Sequence, residues 1–133
     1  MRVPIEREVE MPGGKMPRPD EATKEFFRSI VPDHPAVQVR PMFGQLAAFV
    51  NGNMFTGIHG SDLFVRLPEA DREALTAEGG GPFEPMAGRA MREYVVLPPA
   101  WREDEPHRVR EWVARSLDHA EEIPPKQPKK KPS

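Results

Sequence analysis

Between Val37 and Leu67 the chain repeats one arrangement: a run of five to seven residues rich in apolar side chains, then a two-residue break. The runs cover 37–43, 46–50, 53–59 and 62–67, and the breaks are Gly44-Gln45, Asn51-Gly52 and Gly60-Ser61. Asn-Gly is a strong signal for a type I′ hairpin, because both central residues need positive φ. A leading glycine suits a type II′ turn for the same steric reason. Three such breaks in succession predict a four-stranded antiparallel meander. The run 46–50 is apolar at every position, which predicts a strand covered on both faces. In the last run Leu63, Val65 and Leu67 share one face, and Phe64 and Arg66 share the other.

Helical spacing appears on both sides of this region. Asp20 is a good N-cap, and Glu21 suits the positive end of a helix dipole. Ala22, Phe26, Phe27 and Ile30 follow at helical intervals, and Pro32 and Pro35 end the pattern. Pro68 opens a short helix to about residue 78, closed by three glycines at 79–81. Residues 82–85 read as a loop or short strand. Residues 91–97 read as a fifth strand, stopped by Pro98 and Pro99. A last helix starts near Asp104 or Glu105 with Pro106 in its first turn. Val109, Trp112, Val113, Ser116, Leu117 and Ala120 form its apolar stripe, with Arg108, Glu111, Arg115 and Glu122 mostly off it. The fold class is α+β: an antiparallel meander sheet of four to five strands flanked by N- and C-terminal helices. Met42, Phe43, Met54, Phe55, Met86 and Met91 are assigned to the core.

The 133 residues suit one domain. Its body spans 19–122. Residues 1–18 form an irregular arm interrupted by Pro4, Pro12, Gly13, Gly14 and Pro17, and 123–133 form a Lys/Pro-rich tail read as disordered. Charge sharpens this division. The formal net charge is −2, yet the tail holds Lys126, Lys129, Lys130 and Lys131 and no acid. The rest of the chain is therefore acidic and ill-suited to a phosphate backbone, so direct nucleic-acid binding is expected only weakly, through the tail. No apolar run approaches the roughly 20 residues of a membrane helix, and the N-terminus lacks the apolar stretch of a secretory signal. With no cysteine, disulfides, thiolate catalysis and cysteine-bound zinc are excluded. A cytoplasmic location is expected.

Catalytic patterns are lacking. His34, His59, His107 and His119 include no i, i+4 pair, and Ser29, Ser61 and Ser116 sit in no nucleophile motif. His59 reads as a polar residue flanking a turn. The glycines at 79–81 lack the strand–loop–helix setting of a phosphate loop. No cofactor or metal is expected. One cluster retains chemical interest: Arg40, Arg66 and Arg92 lie on three predicted strands, and Arg89 precedes one. Arginines meeting across a sheet bind an anion or a partner's carboxylates. The plainer alternative is a ladder of exposed arginines, or arginines paired with Glu84 and Glu93.

Five segments in order resemble the TfoX/Sxy family's N-terminal domain. Arg40-Pro41-Met42-Phe43-Gly44 is similar to its "MFG" entry, and Ala48-Phe49-Val50-Asn51-Gly52-Asn53-Met54 to its hydrophobic–NGNM hairpin. Leu63-Phe64-Val65-Arg66 resembles "LxVR", and Gly81-Pro82-Phe83-Glu84 resembles "xPF". The stretch from Gly88 through Arg89, Met91 and Arg92 to Val95 resembles "GRxMRxxV". A closing amphipathic helix bearing Trp112 completes the set. Two positions depart from the pattern: Gln45 stands where a second glycine is usual, and Met54-Phe55-Thr56-Gly57 replaces Met-Ala-x-Gly.

The resemblance implies an antiparallel sheet flanked by helices. Named members regulate natural competence as coactivators beside a DNA-bound regulator, and they pair this domain with a C-terminal helical one. The present chain ends where that second domain would begin, so the resemblance implies the domain type rather than the whole competence role. The expectation is a non-enzymatic regulatory module acting through protein contacts. Arg40, Arg66, Arg89 and Arg92 form its surface, with Phe43 and Tyr94 as aromatic anchors. The partner is unidentified, and the free edges of a meander leave homo-oligomerisation open. The alternative is a protein or enzyme that binds a small anion or nucleotide-type ligand through the arginines.

Overall fold

The first helix, α1 (Glu21–Ile30), is capped by the Asp20 carboxylate, which accepts a hydrogen bond from the Thr23 N–H at 2.8 Å. The computed structural model describes residues 18–42, 44–86 and 88–125. The meander follows as β1 (Val37–Met42), β2 (Gln45–Val50), β3 (Asn53–His59) and β4 (Asp62–Arg66). Asn51 and Gly52 have φ of 53° and 80°, which is the type I′ signature anticipated from their identities.

The register explains which side chains meet. Arg40 pairs with Ala47, Ala47 with Gly57, and Gly57 with Phe64. Ala48 pairs with Thr56 but Phe49 pairs with Met54, so Phe55 is an extra residue in β3. This bulge turns Phe55 inward, and it is fully buried.

Beyond the meander come α2 (Glu69–Ala77), β5 (Gly81–Pro82), β6 (Tyr94–Val96), α3 (Trp101–Asp104) and α4 (Pro106–Glu121). All six strands join one antiparallel sheet in the order β1-β2-β3-β4-β6-β5. The count exceeds the four to five expected, because β5 adds a two-residue pairing against Val95 and Val96. The strand expected over 91–97 is confined to Tyr94–Val96. A turn precedes it, in which the Tyr94 N–H bonds the Met91 carbonyl. The helix α3 is also additional: residues 98–100 start a turn that drives Trp101 into the core.

The helices cover one face of the sheet. Phe27 and Ile30 from α1, Leu75 from α2, Trp101 from α3 and the α4 stripe pack on Val50, Phe55, Ile58, Val65 and Leu67. Leu46–Val50 is buried at nearly every position, as its composition predicts. A smaller apolar cluster of Phe64, Phe83 and Tyr94 occupies the opposite face, flanked by Met54 and Val96. Assignment of the methionines to the core needs correction. Met86 and Met91 are 62% and 39% exposed, because they lie on a segment outside the sheet. Phe43, residues 1–17 and the lysines of the tail lie outside the described residues. At the last described positions the chain returns to the meander, where the Asn53 side-chain amide donates to the Pro124 carbonyl at 3.1 Å.

Candidate functional site

The helix-free face of the sheet is shaped by a missing side chain. A Cβ at Gly57 would lie 2.5 Å from Cζ of Phe64 and 3.0 Å from the Leu46 carbonyl oxygen. Glycine therefore lets the Phe64 ring lie across β3. Phe83 stacks on that ring with centroids 4.1 Å apart, and Tyr94 meets it edge-on at 5.4 Å. The Tyr94 hydroxyl donates to the Met54 carbonyl at 3.1 Å. Burial raises the Tyr94 pKa above its ordinary 10.0, against the opposing pull of the Arg66 charge.

From Phe83 the chain runs out over this face and returns. The Met91 N–H bonds the Phe83 carbonyl at 2.8 Å, and the Arg89 N–H bonds the Met86 carbonyl at 2.9 Å. Between this segment and the sheet lies a cavity of about 260 Å³, walled by Met42, Met54, Phe64, Phe83, Met86 and Met91. His59 also lines it, with its ring edge-on to Phe83 at 5.8 Å. The His59 Nε2 atom is buried and has no hydrogen-bond partner among the described residues. The neighbouring Gln45 Oε1 accepts from the Gly60 N–H at 3.0 Å.

A second, more open groove of about 670 Å³ runs between α2 and the β5–β6 edge. Arg72 and Arg92 line it together with Glu69 and Glu73, so cations and carboxylates share its walls. Arg72 also donates to the Leu67 carbonyl at 2.6 Å.

The arginines of the anticipated cluster have different surroundings. Arg66 pairs with Glu93 at 2.7 Å and lies 5.9 Å from the centre of the Tyr94 ring, its strand neighbour. Arg40 is exposed on β1, with its guanidinium 4.1 Å above the Phe49 ring. Three strand spacings, roughly 14 Å, separate β1 from β4. Arg89 and Arg92 are exposed on the segment that crosses the open face. The structure thus brings Arg66 and Tyr94 together and sets Arg40 apart. Tyr94 is 6% exposed, so its ring is packed beneath the surface. Phe43 lies outside the described residues.

Sequence reasoning passed over the Phe64–Phe83–His59 grouping. Its signal was Gly57, a glycine inside a strand, which marks a close approach. Strand alternation then places His59 on the same face, two residues on.

The sequence model of the TfoX N-terminal domain matches residues 29–120, from the end of α1 to the last turn of α4. The chain belongs to the TfoX N-terminal domain family. No curated protein matches it. Membership makes this TfoX N-terminal domain a regulatory, competence-type domain at the level of the family. Among its described residues no helix is long and apolar enough to cross a membrane.

Proposed function

We propose that this TfoX N-terminal domain is a regulatory binding module that acts by protein contact rather than turnover, and that its docking surface is the segment around residues 86–92. The observation that carries this reading is the exposure of Met86 and Met91 beside exposed Arg89 and Arg92. Methionine and arginine are both enriched in interfaces. Methionine adapts its shape to a partner, and arginine pairs with carboxylates. The strip therefore suits an acidic surface with an apolar centre. Arg66 is already paired with Glu93 and lies beside the buried Tyr94 ring. Arg40 lies at the far edge of the same sheet.

Partner capture from a lysate of the source cell tests this. The double variant Arg89→Glu, Arg92→Glu is expected to lose the partner while keeping its melting temperature. The double variant Arg28→Glu, Arg110→Glu makes the same charge change at exposed positions on the helices and is expected to retain the partner. Unchanged capture by the first variant would overturn the assignment.

A further inference from the structure

The walls of the cavity between the sheet and the 83–91 segment offer almost no polar surface. Met86 and Met91, two of the three exposed large apolar side chains among the described residues, border it. Contiguous apolar surface of this kind marks a docking site. Its rim is cationic. Arg40 is exposed on β1 and shares a sheet face with Met42 by strand alternation. Arg89 and Arg92 are exposed on the crossing segment, where Glu84 is the one acid between residues 83 and 92.

The chain itself supplies a segment of matching pattern. In the stretch 3–11, Val3, Ile5, Val9 and Met11 occupy odd positions and Glu6, Glu8 and Glu10 even ones. An extended backbone sends the two sets to opposite sides. Arg7 interrupts the apolar side once, and an arginine stem can lie along apolar surface with its charge at the rim.

This stretch also joins the body beside the cavity. The Arg18 guanidinium carbon lies 3.7 Å from where a Cβ at Gly44 would stand, at the β1–β2 turn. Met42 and Gln45 flank that turn, and both line the cavity. The link from Met11 to Arg18 reaches up to about 23 Å when extended. The cavity runs from Met42 on β1 to Phe64 on β4, three strand spacings or roughly 14 Å.

We infer that residues 3–11 of this chain lie extended across the open face of the sheet, with Ile5, Val9 and Met11 over the methionine-lined cavity and Glu6, Glu8 and Glu10 attracted by the arginines of its rim. Apolar burial holds this cover, and charge sets its orientation. A cover that uses Arg89 and Arg92 competes with an acidic partner for them. That consequence rests on the docking reading above, whereas the cover itself does not.

The test uses the full chain with Pro4→Cys, which introduces its one cysteine on the glutamate side of the segment. A nitroxide attached there is read through labelled methionine methyls and backbone amides, before and after its reduction. The Met54 and Met91 methyls are expected to relax several-fold faster with the nitroxide active, and the amides of Val39 and Trp112 much less so. Adding Glu6→Lys, Glu8→Lys and Glu10→Lys should remove most of that effect. Even broadening over all surfaces, or the strongest effect at Val39 on the free edge of β1, would overturn the inference. So would an unchanged effect in the lysine variant. A mixture of nitroxide-bearing chains with isotope-labelled chains lacking the nitroxide separates the remaining occupant. Broadening of Met54 and Met91 there would assign the face to a second copy's arm and overturn the intramolecular cover.

Discussion

Ser116 of α4 donates a hydrogen bond from its hydroxyl to the carbonyl of Phe55, the extra residue of the β3 bulge. The same oxygen accepts the Arg66 N–H at 3.2 Å. One buried hydroxyl thus fastens the last helix to two strands, at a place where the bulge disrupts the ladder. Ser116→Ala should leave both backbone groups unpaired in the interior. A loss of about 2–4 kcal/mol is expected from two unsatisfied groups, seen as a lower urea midpoint with an unchanged slope.

Gly57 keeps the open face in order because its missing Cβ makes room for Phe64. Gly57→Ala should destabilise the domain by about 1–3 kcal/mol, the usual range for forced overpacking. Phe64 has little freedom to yield, since Phe83 stacks on it and Tyr94 abuts its edge. Adding Phe64→Leu to Gly57→Ala should recover part of the loss. A double-mutant cycle by urea denaturation measures this coupling, and strictly additive losses would contradict it.

Tyr94 is the single tyrosine of the chain, so tyrosinate absorbance reports on it alone. Burial raises its pKa above 10.0 in the folded state. The fold therefore holds its phenol proton more tightly than the unfolded chain does. That contribution to stability is complete below the unfolded value and is lost as pH rises through the folded one. The absorbance titration of the native domain should lie at higher pH than that of the urea-unfolded chain. Tyr94→Phe should remove this part of the alkaline loss of stability.

Asp20 shows the opposite sign. Hydrogen bonding from the Thr23 N–H, then from the Thr23 side chain, holds its carboxyl below the ordinary 3.8, with help from the Arg102 charge. Its contribution is present above the unfolded value and is lost as pH falls through the folded one. Asp20→Ala should lower the melting temperature at neutral pH. The gap between variant and parent should close in strong acid, as measured by thermal melts across an acidic pH series.

Local chemistry was readable at the turns and on the outer helices. Asn51-Gly52 announced its hairpin because a type I′ turn leaves few alternatives. The α4 stripe from Val109 to Ala120 announced its buried face through its period, and Asp20 announced a helix start. The candidate site was less legible because its members come from separated segments. His59, Phe64 and Phe83 meet only through strand register and through the path of residues 83–91. Likewise Arg40 and Arg66 look equivalent along the chain, yet only Arg66 stands beside Glu93 and Tyr94.

By itself, the amino-acid sequence determined the meander, the flanking helices and the family, since turn sterics and apolar periodicity act over a few residues. Tertiary structure decided that Met86 and Met91 stand outside the core, that Phe55 turns inward at a bulge, and that His59 keeps a buried nitrogen without a partner among the described residues. Each of these depends on which distant segment lies alongside, and spacing within one segment does not encode that.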